Sequence, residues 1–185
     1  MERISVVGSS GAGKSTFARK LATRLGVTHV ELDSLWHDAG WTNPSPEEFA
    51  RRAASVAAGE RWITDGNYSA VTVNGPIWER ADTVIVLHIP RRVVMRQVTV
   101  RTIRRAVRRE ELWNGNREPL SNFYRWDPEK NVIRWAWTRF DAVNERYREA
   151  ARDPRYAHIQ FIFLGSHAES EAFLRSVVST SALLD

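Results

Sequence analysis

The chain of 185 residues contains no cysteine, and its only lysines are Lys14, Lys20 and Lys130. The absence of cysteine excludes disulfide bonds, thiolate catalysis and cysteine-ligated zinc sites, and it is typical of a reducing compartment such as the cytoplasm. No apolar run approaches the ~20 residues that a transmembrane helix needs. The first predicted strand begins close to Met1, which leaves no room for a signal peptide. We therefore expect a soluble, cytoplasmic protein with no membrane partner.

Arginine supplies most of the positive charge. Lys and Arg together number 27 against 22 Asp and Glu, which gives a formal net charge of +5 and a pI of about 10.1. The planar guanidinium group pairs well with phosphate and carboxylate. The charge balance therefore favours polyanionic partners, whether nucleotides or nucleic acids. The length is that of one domain with a sizeable core, and we predict a single domain over residues 1–185.

A phosphate-binding loop of the form G-x-x-x-x-G-K-[ST] occupies residues 8–15. An apolar run at 4–7 precedes it, and Phe17, Leu21 and Leu25 follow at helical spacing, which is the strand–loop–helix context that the motif requires. Glycines let successive backbone amides turn toward an anion, and the helix N-terminus adds a partial positive charge. The sequence therefore predicts that ATP binds to Gly8, Ser9, Ser10, Gly11, Ala12, Gly13, Lys14, Ser15 and Thr16.

Three residues in and beyond this loop have specific predicted roles. Lys14 is expected to contact the β- and γ-phosphates during catalysis, and the Ser15 hydroxyl is expected to ligate Mg²⁺. Asp65, at the end of an apolar segment and before Gly66, is expected to hold the same ion through water. The alternative for Asp65 is a turn residue followed by a permissive glycine.

Strand and helix patterns alternate along the chain. Strands are predicted at residues 3–7, 28–32, 61–65, 83–89 and 159–164. Helices are predicted between them and after the last, at residues 13–25, 46–58, 90–109, 128–151 and 168–178. This alternation indicates an α/β fold, the three-layer α/β/α architecture of P-loop NTPases with a five-stranded parallel sheet. The fourth strand is the most apolar, and we expect it to lie centrally.

Other P-loop classes fit the chain less well. A GTPase switch needs an N-K-x-D motif, which is absent, and a large mechanical ATPase needs more chain. A small phosphotransferase needs a P-loop, an acid near Mg²⁺, an acceptor pocket and an arginine-bearing cover. We predict an acceptor-binding insertion at about 33–60 and an arginine-rich helical lid at about 105–128.

Several segments resemble one group of proteins. Residues 31–37 read ELDSLWH, 40–41 read GW, 65–69 read DGNYS, 111–118 read ELWNGNRE and 135–137 read WAW. These segments are similar to the adenylate-kinase-related group often labelled "DNA topology modulation protein". The resemblance covers most of the chain. It implies a nucleoside-monophosphate-kinase-like fold that uses ATP and Mg²⁺.

The chain departs from true adenylate kinases on the acceptor side. Those enzymes carry T-G-D-x-[LI]-R and D-G-[FY]-P-R segments, whose arginine clamps the acceptor phosphate. Here Asp65 and Gly66 are followed by Asn67, Tyr68 and Ser69, with no arginine, and the first segment is absent. This difference disfavours AMP and favours an acceptor that presents a hydroxyl group.

Four residues are candidates for the acceptor site. Asp33 follows the second predicted strand, at the edge where parallel sheets bind ligands, and its carboxylate could accept a proton from a hydroxyl or orient it. The alternative is a turn or helix cap. Trp36 and Trp41 could stack on a ring or form a small hydrophobic cluster. Asn67 could contact the acceptor or stabilise a turn.

The helix at 90–109 carries eight arginines, of which Arg101, Arg104, Arg105 and Arg108 share one face. By analogy with small P-loop kinases, we expect Arg96 or Arg101, together with Arg117 of the lid, to reach the phosphates. An arginine there stabilises charge on the equatorial oxygens of the transferred group. The alternative for each arginine is a solvated basic surface.

These features predict an ATP-dependent kinase that transfers the γ-phosphate of ATP–Mg²⁺ to a small acceptor, with a hydroxyl group preferred. One alternative is a nucleoside monophosphate kinase of the adenylate type. Another is an ATP-regulated nucleic-acid-binding protein, for which the basic pI, the arginine helix and eight tryptophans supply phosphate contacts and base stacking.

Overall fold

A computed structural model describes residues 1–108, 111–116 and 132–177. Its centre is a five-stranded sheet with the order β2-β3-β1-β4-β5, in which every pair is parallel. The strands are β1 (Arg3–Gly8), β2 (His29–Glu31), β3 (Trp62–Asp65), β4 (Thr83–Leu87) and β5 (Gln160–Leu164). The predicted number of strands and their parallel pairing are confirmed.

Seven α-helices flank the sheet in the described ranges. They are α1 (Lys14–Leu25), α2 (Leu32–Trp36), α3 (Pro46–Ala57), α4 (Pro76–Arg80), α5 (Arg91–Arg108), α6 (Val132–Ala150) and α7 (His167–Ser176). Short 3-10 turns lie at Ala39–Trp41, Trp113–Gly115 and Pro154–Tyr156. Among these helices, none combines the length and the apolar character that crossing a membrane requires.

Two hydrophobic cores lie on opposite faces of the sheet, as the alternation of side chains along a strand requires. In β4, Val84 and Val86 belong to a core that α3, α4 and α6 cover, whereas Ile85 and Leu87 belong to a core that α1 and α7 cover. Both faces of β4 are therefore buried, which explains its apolar composition. The predicted three-layer α/β/α architecture is confirmed.

The prediction that the fourth strand is central was wrong in detail. The middle position belongs to β1, which pairs with β3 on one side and β4 on the other. An apolar strand is one that is buried on both faces, which need not be the middle strand. The strand β4 is buried on both faces and lies next to the middle strand. The central position of β1 puts the phosphate-binding loop in the middle of the carboxyl edge of the sheet.

The second strand is shorter than predicted, and Asp33 does not end it. The strand stops at Glu31, and α2 begins at Leu32, so that Asp33 lies in the first turn of a helix. The Ser34 hydroxyl donates to the Glu31 carbonyl at 2.6 Å, which favours a turn at this point. The five-residue helix α4 was not predicted at all, because a segment this short gives no periodic pattern.

The Asp82 side chain forms hydrogen bonds that connect the backbone at Glu2 and Arg3 to the start of β4. We expect Asp82→Ala to lower the free energy of unfolding by about 1–2 kcal/mol. Its Oδ2 accepts the backbone amides of Glu2 and Arg3, both at 2.9 Å, and its Oδ1 accepts the Thr83 hydroxyl at 2.7 Å. Burial alone would raise the pKa of Asp82, but these hydrogen bonds lower it below 3.8. Urea unfolding at pH 7 measures the loss.

The pH dependence gives this prediction a second test. A carboxyl group whose pKa is lowered in the folded state stabilises the fold above its unfolded pKa and loses that contribution as the pH falls through the folded value. The difference in the free energy of unfolding between Asp82→Ala and the parent protein should therefore become smaller below pH 3.8. Asp141→Ala is the control, because the Asp141 side chain is 83% exposed and such pairs contribute little. An equal decrease in the free energy of unfolding in Asp82→Ala and Asp141→Ala would contradict the stabilising role of the Asp82 hydrogen bonds.

Candidate active site

The phosphate-binding loop leaves β1 at Gly8 and enters α1 at Lys14. Gly8 has a φ of +141°, and a Cβ there would lie 2.5 Å from the Leu87 carbonyl oxygen, so only glycine fits beside β4. Gly13 is the N-cap of α1, with a φ of +91° and no side chain to cap the helix. The first-turn amides of α1 therefore face the loop without a side-chain acceptor, which suits them to an anion.

A large cleft opens above this loop at the carboxyl edge of the sheet. Its volume is about 1990 Å³, whereas a single small-molecule pocket measures roughly 300–1,000 Å³. Residues 10–16 form its floor, while Gly8 and the buried Ser9 lie beneath. The cleft continues from Lys14 to Asp33 and Trp41, so that one space connects the loop with the predicted acceptor side. It is large enough for a nucleotide and a second ligand together.

Lys14 is a half-buried cation that lines the cleft. Its amine donates to the Ser9 carbonyl at 3.2 Å. Burial lowers the pKa of Lys14 from its ordinary value, while the charges of Asp65 and Asp33 oppose that change and the charge of Arg101 adds to it. A triphosphate in the loop would supply the negative charge that this partly desolvated ammonium group lacks.

Asp65 lies next to the loop, as its position on β3 predicts. Its Oδ1 accepts the Ser15 hydroxyl at 3.1 Å, and its Oδ2 lies 2.7 Å from His29 Nε2. Asp65 is 2% exposed. The Ser15 hydroxyl and a carboxylate oxygen are the hard ligands that Mg²⁺ prefers, so these two residues fit the ion that the sequence predicts.

Sequence reasoning missed two neighbours of Asp65. Potential ligand atoms of His29, Glu31 and Asp65 lie within 4.8 Å of one another, because β2 and β3 pair with Glu31 beside Asp65. His29 fixes the orientation of the Asp65 carboxylate, and Glu31 forms an ion pair with Arg19 at 3.0 Å. The only sequence signal was the alternation of His29 and Glu31 along one strand.

Asp33 is oriented by Tyr68, the residue after Asn67. The Tyr68 hydroxyl donates to Asp33 Oδ1 at 2.6 Å, and both residues line the cleft. Burial, and then the charge of Asp33, raise the pKa of Tyr68 above its ordinary value. Tyr68 therefore stays protonated. Its hydroxyl binds only one of the two carboxylate oxygens of Asp33, namely Oδ1.

Only one of the two tryptophans predicted for the acceptor side, Trp41, lines the cleft. Trp41 lines the cleft and is 37% exposed. Trp36 does not line it, because its ring packs against Phe49 at 4.9 Å and Tyr68 at 5.9 Å. For Trp36 the structure favours the predicted alternative, a small hydrophobic cluster, in which its half-buried ring packs against the core beneath the site. Leu32 and Trp36 are four residues apart and share the buried face of α2.

Asn67 holds the base of the phosphate-binding loop. Its Nδ2 donates to the Gly8 carbonyl at 2.7 Å, and its Oδ1 accepts the Gly8 amide at 3.3 Å and the Tyr147 hydroxyl at 3.0 Å. Both polar groups of the side chain are thereby engaged with protein. Asn67 also borders the cleft, and its contact with an acceptor stays a prediction.

Arginines of α5 form the wall opposite the loop. Arg96 is exposed and borders the cleft, and Arg101 reaches the loop, with its Nη2 3.4 Å from Ser10 Oγ. Three further arginines of α5 also line this wall, namely Arg92, Arg104 and Arg105. Arg117, and most of the predicted lid, lie outside the described residues. The cleft thus brings cations of one helix to the phosphate-binding loop.

Comparison with known proteins supports the architecture. No protein-family model matches the chain, and none of the curated proteins matches it either. Among solved structures, a shikimate kinase from Acinetobacter baumannii in complex with shikimate has a TM-score of 0.54 at 17% identity, covering all of this chain and 93% of the other. A shikimate kinase from Bacteroides thetaiotaomicron has a TM-score of 0.52 at 17% identity, covering 99% and 98%.

A gluconokinase from Sinorhizobium meliloti is similar to the same degree. Its TM-score is 0.50 at 16% identity, and the match covers the whole of this chain and 97% of the other. At such low identities the similarity concerns the fold. The sheet order, the loop after β1 and these matches together show that the chain has the P-loop fold of the nucleoside-monophosphate-kinase type.

Proposed function

We propose that the protein is an ATP-dependent kinase that transfers the γ-phosphate of ATP to a hydroxyl group of a small acceptor. The observation that carries this proposal is the position of Asp33, whose carboxylate lies on the cleft that contains Lys14 and is held there by Tyr68. The resemblance to the adenylate-kinase-related group supports the use of ATP–Mg²⁺. A cytoplasmic location goes with this proposal.

The residues around the loop fit ATP and Mg²⁺. Lys14 and Arg101 supply positive charge, and the uncapped start of α1 supplies amide donors. Ser15 and Asp65 are the residues that would hold Mg²⁺, which supplies charge neutralisation at the β- and γ-phosphates. The Ser9 hydroxyl is buried without a hydrogen-bond partner in the described structure, which leaves a donor beside the loop.

The reaction needs a base and charge stabilisation. In the proposed step the acceptor oxygen bonds to the γ-phosphorus, the bond from that phosphorus to the β–γ bridging oxygen breaks, and ADP leaves. Asp33 takes the proton of the acceptor hydroxyl, and Tyr68 keeps the carboxylate in place. Lys14 and the arginines of α5 stabilise the negative charge on the transferred group.

The charges of the predicted acceptor-binding insertion, residues 33–60, favour a hydroxyl over a phosphate acceptor. Arg51 and Arg52 are its arginines, and neither lines the cleft. Arg52 binds both carboxylate oxygens of Asp38, at 2.8 and 3.2 Å, and also Glu48, while Arg51 pairs with Glu48. These arginines are engaged within the protein, whereas a phosphate acceptor needs a cation in this segment to clamp it.

The arginines of α5 do not favour the nucleic-acid alternative. Five of them border the cleft around the loop, namely Arg92, Arg96, Arg101, Arg104 and Arg105. Cations that converge on a phosphate-binding loop serve a nucleotide, whereas nucleic-acid binding needs a basic surface along which the backbone of the polymer can run.

Consumption of ATP by the purified protein tests the proposal. Acceptors to be compared are nucleosides, nucleoside monophosphates, sugars and aminocyclitol antibiotics, each with ATP and Mg²⁺. We expect a hydroxyl acceptor to stimulate ADP release at least about tenfold over the protein with ATP alone. Stimulation by a nucleoside monophosphate alone would replace this proposal with the adenylate-type alternative. Binding of DNA with a steep salt dependence and no effect of ATP would replace it with the nucleic-acid alternative.

A further inference from the structure

Residues 113–116 form hydrogen bonds with residues 31–41, which we call the acceptor segment, although 75 to 82 residues separate the bonded pairs. Asn114 Nδ2 donates to the His37 carbonyl at 2.6 Å and to the Ser34 carbonyl at 3.2 Å. Trp113 Nε1 donates to Glu31 Oε2 at 2.9 Å. Side chains from one short turn thus bind the backbone and a side chain of the segment that carries Asp33.

Asn116 is the most buried member of this turn, at 3% exposure. Its Nδ2 donates to the Asp38 carbonyl at 2.9 Å, and its Oδ1 accepts the Trp41 amide at 2.9 Å. Trp41 has a φ of +57°, a left-handed conformation that is uncommon for a residue with a large side chain. The hydrogen bond from Asn116 meets the backbone at the residue that carries this strain, so it holds the Trp41 ring in its orientation.

Three aromatic rings meet at this end of the cleft. The His37 ring lies 5.9 Å from the Trp113 ring in a stacked arrangement, with an interplanar angle of 27°. The Trp41 ring meets His37 edge-on at 5.2 Å. All three line the same cleft as Asp33, and we call them the aromatic wall. Two of its rings come from the acceptor segment and one comes from the turn at residues 113–116.

We infer that the aromatic wall binds the flat face of a ring-bearing alcohol, and that Asn116 is the positioning residue that assembles the wall from its two segments. This inference rests on the proposed function, since it names the class of acceptor for the same site. The recognised chemistry is a ring that carries a hydroxyl group, whether a nucleoside or a sugar.

The chemistry of the wall supports a ring over an open chain. Stacking of a flat ring on a large aromatic face stabilises the complex, whereas an acyclic alcohol covers only a fraction of that face. Asp33 lies on the same cleft, so a ring held against the wall has a carboxylate within the same space for its hydroxyl. The Arg105 guanidinium group lies 5.9 Å from the centre of the Trp113 ring, so α5 contacts the aromatic wall.

Hydrogen exchange on the protein alone tests the role of Asn116. In Asn116→Ala the Trp41 amide loses its acceptor, and we expect its exchange to be at least about tenfold faster, with no change at residues 8–16. Asn74→Ala is the matched control, because Asn74 is exposed and does not border the cleft. Unchanged exchange at Trp41 in Asn116→Ala would overturn the positioning role.

Kinetics with named probes test the acceptor class. Adenosine, glucose and glycerol are compared as acceptors, the first two being ring alcohols and the third acyclic. We expect turnover of a ring alcohol, an increase of about tenfold in its KM in Trp113→Leu and in Asn116→Ala, and a KM for ATP within about twofold of the parent value. Trp113→Phe keeps a ring and should recover most of the affinity.

The outcomes separate this inference from the proposed function. Preferred turnover of glycerol, or a KM for the ring alcohol that does not change in either variant, overturns the ring assignment. Failure of both ring alcohols to react in a protein that binds ATP through Lys14 overturns it as well. Failure to bind ATP instead overturns the proposed function, while the hydrogen-exchange result for Asn116 stands on its own.

Discussion

Lys14→Ala is expected to lower the rate of phosphate transfer by at least about a thousandfold, because its ammonium group is the cation that we expect to contact the β- and γ-phosphates. Lys14 donates to the Ser9 carbonyl and is otherwise surrounded by the charges of Asp65, Asp33 and Arg101. Removing a desolvated charge should leave the free energy of unfolding within about 1 kcal/mol of the parent value. Single-turnover kinetics and urea unfolding measure the two effects separately.

Lys20→Ala is the control for this variant. Lys20 also borders the cleft, but its side chain is 52% exposed and forms an ion pair with Glu171. A surface lysine of this kind should change the rate less than about threefold. If Lys14→Ala transferred phosphate at the parent rate, the proposed mechanism would be wrong. If it unfolded, Lys14→Met, which keeps the aliphatic stem, would replace it.

Asp33→Asn should lower kcat by about 10²- to 10⁴-fold, because an amide cannot take the proton of the acceptor hydroxyl. The substitution keeps an oxygen that can accept the Tyr68 hydroxyl, so the local structure should be preserved. The affinity for ATP should stay within about twofold, since Asp33 serves the acceptor and the loop binds the nucleotide. Steady-state kinetics with the best acceptor, together with calorimetric titration of ATP, give the two values.

Two further variants make this second result specific. Tyr68→Phe leaves the Asp33 carboxylate intact but removes its hydrogen bond, and we expect a smaller loss in kcat, about tenfold. Asp141→Asn removes an exposed carboxylate of α6 and should have no effect. Unchanged kcat in Asp33→Asn would remove Asp33 from the chemistry.

The sequence predicted the parts of the site that lie close together in the chain. The loop at 8–16 and the helix after it form a local motif, and Asp65 ends an apolar strand, so their places in the fold could be predicted from spacing alone. Asp33 was predicted to follow directly on a strand and lies in α2, yet it still reaches the carboxyl edge. The reason is that α2 begins where β2 ends.

Contacts between distant segments could not be predicted. His29 meets Asp65 because β2 and β3 pair, and Asn116 meets Trp41 across 75 residues. Such partners are chosen by tertiary packing, and no periodicity in the chain reports them. The different positions of Trp36 and Trp41 have the same origin, because Trp36 packs against Phe49 beneath the site whereas Trp41 lines the cleft.

The hydrogen bonds between the turn at 113–116 and the acceptor segment bear on how the specificity of such a protein could be redesigned. Grafting residues 31–41 from a protein with another acceptor would move the backbone amide at position 41 and the carbonyl at position 38 away from Asn116 wherever the grafted loop follows another backbone path. The graft should then fail unless residues 113–116 are exchanged with it. The two segments form one exchangeable unit, and a library that varies them jointly samples working pockets that single-segment libraries miss.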